Sequence, residues 1–224
     1  MSGPVFPPLL TGVATVEDPV DVAMTMAAEG CDAGTILHNL GGNDLRAAII
    51  FAPEVSLSRA MAMLPACGIG FQNALGSVAP PEVSVHLDWD GGIRLNGALC
   101  GRLTPRASGM APDEVPDWLI INLQLQLWPA SEDGGETPDV TALYAEGCTD
   151  VDPVHLLESW ARHTLVWINR WDEDGVKPLH SELEGLMHGL KEGAFIGLDE
   201  DFGQLRRDGE TTTLIPLTSL LEPS

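Results

Sequence analysis

The apolar positions of this chain change period several times, and each change predicts an element. Phe6 to Leu10, among prolines 4, 7 and 8, reads as an extended arm packing on a core. Asp18-Pro19 is a helix cap with proline in the first turn, Val20 to Ala28 continue a helix, and Gly30 stops it. Thr35–Leu40 and Leu45–Phe51 are short apolar runs around Gly41-Gly42-Asn43-Asp44, which predicts a hairpin. Ser56–Leu64 and Ala66–Val78 carry a helical apolar stripe with a break expected at Pro65, and Pro80-Pro81 closes the pair. Val83, Val85 and Leu87 then alternate with Ser84, His86 and Asp88 on a strand. After Trp89-Asp90-Gly91-Gly92, Ile93–Leu95 and Leu99–Leu103 form a second hairpin around Asn96-Gly97, a type I′ turn signal.

Trp118–Trp128 contains an alternating run. Leu119, Ile121, Leu123, Leu125 and Leu127 face one way and Asn122, Gln124 and Gln126 the other, so a long half-buried strand is expected. Ala130–Asp139 is an acidic, Gly-rich loop. Asp152-Pro153 repeats the cap signal, and Leu156, Leu157, Trp160, Thr164, Trp167, Ile168 and Trp171 mark one face of a long helix ending near Arg170. A connecting helix near Pro178–Leu190 leads to a small β module with strands at Ala194–Leu198, Gly203–Leu205 and Thr211–Leu217.

Composition narrows what these elements can do. The net charge is −22, and residues 1–150 hold 19 acids against 5 arginines and no lysine. Such a field repels nucleic-acid backbones and anionic membrane surfaces, so neither is an expected partner. The start Met1-Ser2-Gly3-Pro4 lacks the basic and apolar segments of an export signal, which places the expected location in the cytoplasm. Cys31, Cys67, Cys100 and Cys148 form no C-x-x-C pair and read as reduced thiols in or near the core. His155/His163 and His180/His188 are each eight apart, too far for one ion on a helix, so no metal is expected.

Several segments, in this order, resemble the biotin/lipoate protein ligase family. Ala28–Thr35 is similar to its first helix exit. Val83–Ile93 is similar to its valine-rich strand running into Lys-Trp-Pro-Asn-Asp, and Asn96–Leu103 to its Lys-Leu-Ala-Gly-Ile-Leu segment, with Leu99 and Gly101 matching. Thr141–Gly147 and the capped helix resemble its late Thr-Ser-Leu…Glu-Glu-Gly stretch and helix, and Phe195–Glu200 its terminal barrel. The resemblance spans about residues 16–221. It implies an α+β fold, a mixed or antiparallel sheet flanked by helices with a small C-terminal β-barrel module, divided at 1–175 and 176–224. It also implies a reaction: joining biotin or lipoate to ATP as an acyl-adenylate, then passing the acyl group to a carrier-domain lysine.

The departures fall on that reaction. The family's Gly-Arg-Gly loop is replaced by His38–Asp44, Asp88 stands at its first lysine position, Ala98 at the second, and Asn122–Gln126 replace Gly-x-Gly-Ile-Asn. Aspartate for lysine beside a phosphate exchanges attraction for repulsion, about 4 kcal/mol each way at 4 Å and an effective dielectric near 20. Standard adenylation is therefore not expected, no catalytic residue is assigned, and biotin, lipoate or ATP would be cofactors only where that activity is retained. Arg46, Arg94 and Arg102 admit two roles, guanidinium contacts to a small carboxylic acid or salt bridges with Asp44, Asp88 and Asp90. Cys100 reads as a core thiol rather than an acyl-carrying nucleophile. Asp88 and Asp90, two apart on one strand, read as a carboxylate pair or as a solvated turn. The expected ligand-binding residues are Arg46, Asp88, Trp89, Arg94, Gly101 and Arg102. The expected function is binding of a small acid or acyl ligand by a divergent ligase-like protein, or a non-catalytic scaffold that recognises a partner such as a carrier domain.

Overall fold

The computed structural model describes residues 3–129, 139–188 and 195–222. The acidic loop expected from Ala130 falls outside them apart from Asp139, as does Lys191. The chain is α+β, with a seven-stranded mixed sheet flanked by helices and a three-stranded sheet near the C-terminus.

The large sheet runs in the order β1-β2-β3-β7-β6-β5-β4. Its strands are β1 (Thr11–Ala14), β2 (Thr35–Asn39), β3 (Asp44–Phe51), β4 (Val85–Leu87), β5 (Gly92–Leu95), β6 (Ala98–Ala107) and β7 (Leu119–Gln126). Every pairing is antiparallel except β1 with β2. Both expected hairpins form, and Asn96 (φ 49°) with Gly97 (φ 93°) adopts the left-handed pair that a type I′ turn needs. Strand β7 enters between β3 and β6, so the central pairings join segments distant in sequence.

Helix α1 (Pro19–Ala28) is capped by Asp18, whose carboxylate accepts from the Val20 amide, and α4 (Pro153–Asp174) is capped by Asp152 in the same way. Helices α2 (Leu57–Ala60), α3 (Met63–Gly76), α4 and α5 (Val176–Leu186) cover one face of the sheet. Leu119, Ile121, Leu123 and Leu125 of β7 are buried there with Phe71, Leu75, Leu156 and Trp160. Gly70 lets α3 and α4 approach closely, since a Cβ at that position would stand 2.6 Å from the Thr164 hydroxyl and 2.8 Å from its amide nitrogen. The Trp160 indole donates to the Cys67 carbonyl (3.0 Å) and the Trp167 indole to Asn73 Oδ1 (2.8 Å), tying the two helices polar group to polar group. Helix α1 covers part of the opposite face, packing Ala23 on Leu37, Ala48, Ile50 and Ile120.

The terminal module consists of β8 (Phe195–Leu198), β9 (Gln204–Asp208) and β10 (Thr211–Ile215), antiparallel in the order β10-β9-β8. A 3₁₀ turn at Leu217–Leu220 then returns the chain to the main core, where Leu217 and Leu221 are buried.

Four local expectations change. Pro65 does not break the helix: it occupies the first turn of α3, where amide hydrogens have no intrahelical acceptor, so its missing N–H costs nothing. The N-terminal arm leads into β1, a strand without the alternation that would announce it; Phe6 lies across Gly12 and packs on His38 at 6.1 Å. Helix α4 runs to Asp174, a turn beyond Arg170, and ends at Gly175 with φ 77°. Asp88 and Asp90 do not share a strand: β4 ends at Leu87 and β5 begins at Gly92, so both acids belong to the connecting turn.

Candidate ligand-binding face of the sheet

The face of the sheet away from α3 and α4 is only half covered, and strand register decides what lies on it. Pairing sets Asn39 opposite Arg46, Arg46 opposite Gln124, Gln124 opposite Arg102 and Arg102 opposite Gly92, one continuous row across five strands. Two residues along, Ala48, Asn122 and Thr104 form a second row, nearer the part that α1 closes. Because alternate residues share a face, the strands that bury leucine and isoleucine beneath must present these side chains above.

Each guanidinium here has a carboxylate beside it. Arg46 reaches Asp44 at 2.8 Å and the α1 cap Asp18 at 3.3 Å, and the Gln124 amide also donates to Asp44 (3.1 Å). Arg102 reaches Asp90 at 2.9 Å and the Asp90 carbonyl at 3.2 Å. Arg94 contacts both Asp88 oxygens through Nε (2.8 and 2.9 Å) and the Gly97 carbonyl through a terminal nitrogen (3.1 Å). Hydrogen bonding to these aspartates raises the pKa of Arg46 and Arg94 above the ordinary guanidinium value. The pairs differ in access: about two-fifths of each side chain is exposed at Arg102–Asp90 (41% and 44%), against 24% and 20% at Arg94–Asp88. Exposed pairs of this kind contribute roughly 0–1 kcal/mol, so the Arg102–Asp90 contact is readily exchanged for a ligand.

One acceptor on the face is unanswered. Asn122 donates to the Thr104 hydroxyl (3.3 Å), but its amide oxygen is buried and without a partner among the described residues. Beside Arg102 and Gln124 a cleft of ≈ 270 Å³ opens between the end of β6, Gln126 and the Val140–Thr141 segment.

The six expected ligand-binding residues are thus not one cluster. Arg46 and Arg102 share the row. Asp88 and Arg94 pair with each other at the β4–β5 edge. Gly101 permits close strand packing, since a Cβ there would stand 2.5 Å from the Gln124 carbonyl oxygen. Trp89 turns to the helix-covered side, where its indole donates to the Phe202 carbonyl (2.8 Å) and its ring lines a cavity of only ≈ 20 Å³ with Leu64, Leu183 and Leu217. Asp18, Gln124, Asn122 and Thr104 join the face without having been expected. The glutamine and asparagine were visible as the polar phase of β7, and Asp18 only as a helix cap. Burial pushes the Cys67 and Cys100 thiols up, Cys100 to about 12, which leaves both protonated and unfit as nucleophiles. All four cysteines are free, and among the described residues no group of histidines, cysteines and acids could hold a metal ion. No described helix is long and apolar enough to cross a membrane.

Residues 6–185 match the model of the Biotin/lipoate A/B protein ligase family, and residues 184–223 match a Domain of unknown function (DUF4444). No curated protein matches the chain. Among solved structures, the chain is similar to a biotin protein ligase-like protein of unknown function from Silicibacter sp. TM1040, at 58% identity and TM-score 0.93, covering 98% of this chain and 100% of that one. The fold is also that of biotin protein ligase from Aquifex aeolicus (18% identity, TM-score 0.73, 92% and 95% covered). The Leishmania major biotin protein ligase in complex with biotin matches more loosely (15% identity, TM-score 0.59, 93% and 98% covered).

Proposed function

The chain belongs to the biotin/lipoate A/B protein ligase family, and we propose that it binds a small carboxylic acid or acyl ligand on the open face of its sheet without the ATP-dependent adenylation the family performs. The observation that carries this reading is the chemistry at the two positions where the resemblance places lysines. Asp88 holds the first and is tied to Arg94, and Ala98 holds the second at the start of β6. A triphosphate needs cations that are not already neutralised, together with a water-excluding loop. This face offers arginines already paired with aspartates, and only the short Leu40–Asn43 turn lies between β2 and β3. A single carboxylate makes a smaller demand, one guanidinium with an exchangeable partner, and Arg102 supplies it.

Isothermal titration with biotin, lipoate, octanoate and ATP tests the reading, alongside a pyrophosphate-release assay with each acid plus ATP. The expected result is heat from at least one acid, weakened by Arg102→Met, with no pyrophosphate released. Pyrophosphate release at a ligase's rate would sink the non-adenylating part, and heat from none of the acids in a folded sample would sink the binding part.

A second reading, a non-catalytic scaffold recognising a partner such as a carrier domain, draws on Trp128 and Val140. Both are more than half exposed: Val140 lines the cleft, and Trp128 follows β7 by two residues and packs edge-on against Tyr144. It predicts that a purified carrier domain binds whether or not its acceptor lysine is modified, and that Trp128→Ser weakens the complex. Unchanged binding by that variant removes the role given to this patch.

A further inference from the structure

We infer that the molecule has a second binding site, independent of the small-acid reading, which lies beside the last turn of α1 and takes a small organic cation of the methylated-ammonium class. A cleft of ≈ 440 Å³ opens there between the end of α1, the loop that follows it, the end of β3 and the residues leading into β7. Much of its wall is alanine or glycine, at Ala27, Ala28, Gly30, Ala33 and Ala52, and these short side chains leave the space open. The larger groups that face it are Ile50, Phe51, Trp118, Cys31 and Asp117. Ser108 fixes the last two positions before β7: its hydroxyl accepts from the Asp117 amide (2.7 Å) and the Trp118 amide (3.3 Å), and its own amide donates to the Trp118 carbonyl (3.1 Å). The aromatic wall is therefore anchored before any ligand arrives.

The charges in and next to this wall have one sign. Asp117 stands in it, Glu29 and Asp32 flank Gly30-Cys31, and no lysine, arginine or histidine lines the space. No hydrogen bond or ion pair among the described residues answers the Asp117 carboxylate, unlike the aspartates of the other site, each of which holds an arginine. The last turn of α1 carries no basic residue, so the carbonyl end of its dipole adds partial negative charge. Burial and then Asp32 raise the Cys31 thiol, which stays protonated and adds no charge of its own. This field repels an anion. A bare metal ion needs several converging oxygens, and the wall has one carboxylate. An ammonium with its charge spread over methyl groups suits what is present, because aromatic faces attract such a cation and the alanines shelter its carbons. The volume lies within the range of small-molecule sites, about 300–1,000 Å³.

Isothermal titration of the full chain at low salt with choline and with 3,3-dimethylbutan-1-ol tests the inference, because the two share a shape and only choline is charged. Choline is expected to bind about ten-fold or more tightly than the alcohol. Trp118→Leu is expected to lower choline affinity about ten-fold or more. Ala52→Leu, which fills the cleft from an exposed position, should do the same at an unchanged melting temperature. Asp117→Asn should narrow the lead of choline over the alcohol, and so should added salt. Absence of heat from choline overturns the site. Equal binding of the alcohol overturns the cation class, and choline binding that survives both Trp118→Leu and Ala52→Leu overturns the location. Arg102→Met should leave choline binding unchanged, so this site and the small-acid site fail or stand separately.

Discussion

The two faces of the large sheet are built from the same strands and obey different rules. Along β7, Leu119, Ile121, Leu123 and Leu125 point into a core closed by α3 and α4, while Asn122, Gln124 and Gln126 point to a face that α1 leaves half open. The covered face is held by packing, with fixed polar pairs such as Trp160 with Cys67 and Trp167 with Asn73. The open face is held by ion pairs that water reaches, with one amide oxygen left unmatched. Packing and the proposed binding face are thus separated by about the thickness of one sheet, and substitutions on the two faces should differ in kind.

The largest effect is expected on the covered face. Trp160→Ala removes the largest fully buried side chain and its bond to Cys67, and should cost about 3–5 kcal/mol in urea unfolding. A loss under about 1 kcal/mol would mean that α3 and α4 are not packed as described. Next is Gly101→Val, which drives a side chain toward the Gln124 carbonyl between β6 and β7. About 1–3 kcal/mol is expected, read as a lower melting temperature. An unchanged melting temperature would break the link between that glycine and strand packing.

A pH effect of intermediate size comes from His38, on β2 under Phe6. Burial lowers its pKa below 6.5, so its unfolded form takes up a proton more readily than its folded form. Stability is therefore full above the unfolded value and is lost as pH falls below 6.5 toward the folded one. His163, lowered by burial and by Arg162, acts with the same sign. Denaturation midpoints across this range should fall on acidification, and His38→Gln should flatten the profile. A wild-type profile that is level through the range would contradict the burial of His38.

The smallest stability effects are expected on the open face. Arg94→Met breaks the pair with Asp88 and should cost no more than about 1 kcal/mol. Arg102→Met should stay within about 0.5 kcal/mol of wild type while weakening acid binding. A large stability loss from Arg102→Met would erase the contrast, because it would make the open face structural after all.

Much of the fold was legible because its signals are local. A cap and proline at Asp18-Pro19 and Asp152-Pro153, a type I′ pair at Asn96-Gly97, and the alternation of β7 from Ile121 onward each depend on residues within a few positions of one another. The misread places are those where context overrules such a signal. Pro65 breaks a helix interior but not a first turn, and β1 forms because β2 offers it an edge rather than because its own residues alternate. The site was legible only as an inventory. Arg46, Asp88, Arg94 and Arg102 were visible as charges, and aspartate at a lysine position was visible as a conflict with the family's chemistry.

Which charges meet was a matter for the tertiary structure. Arg46, Gln124 and Arg102 come from three separate stretches of chain, and they share a row because β7 inserts between β3 and β6 in one particular register. That register follows from which leucines and isoleucines must face the helices, since a one-residue slip would turn every side chain of β7 over. Tertiary packing also turns Trp89 to the covered side, where its indole meets the Phe202 carbonyl, and brings Asp18, a residue with every mark of a simple helix cap, within reach of Arg46. Composition and periodicity thus settled the elements and the polarity of each strand's two faces, because those are properties of neighbours in sequence. The pairing of Arg102 with an exposed aspartate, and the surplus acid at Arg46, arose only when core packing brought distant strands together.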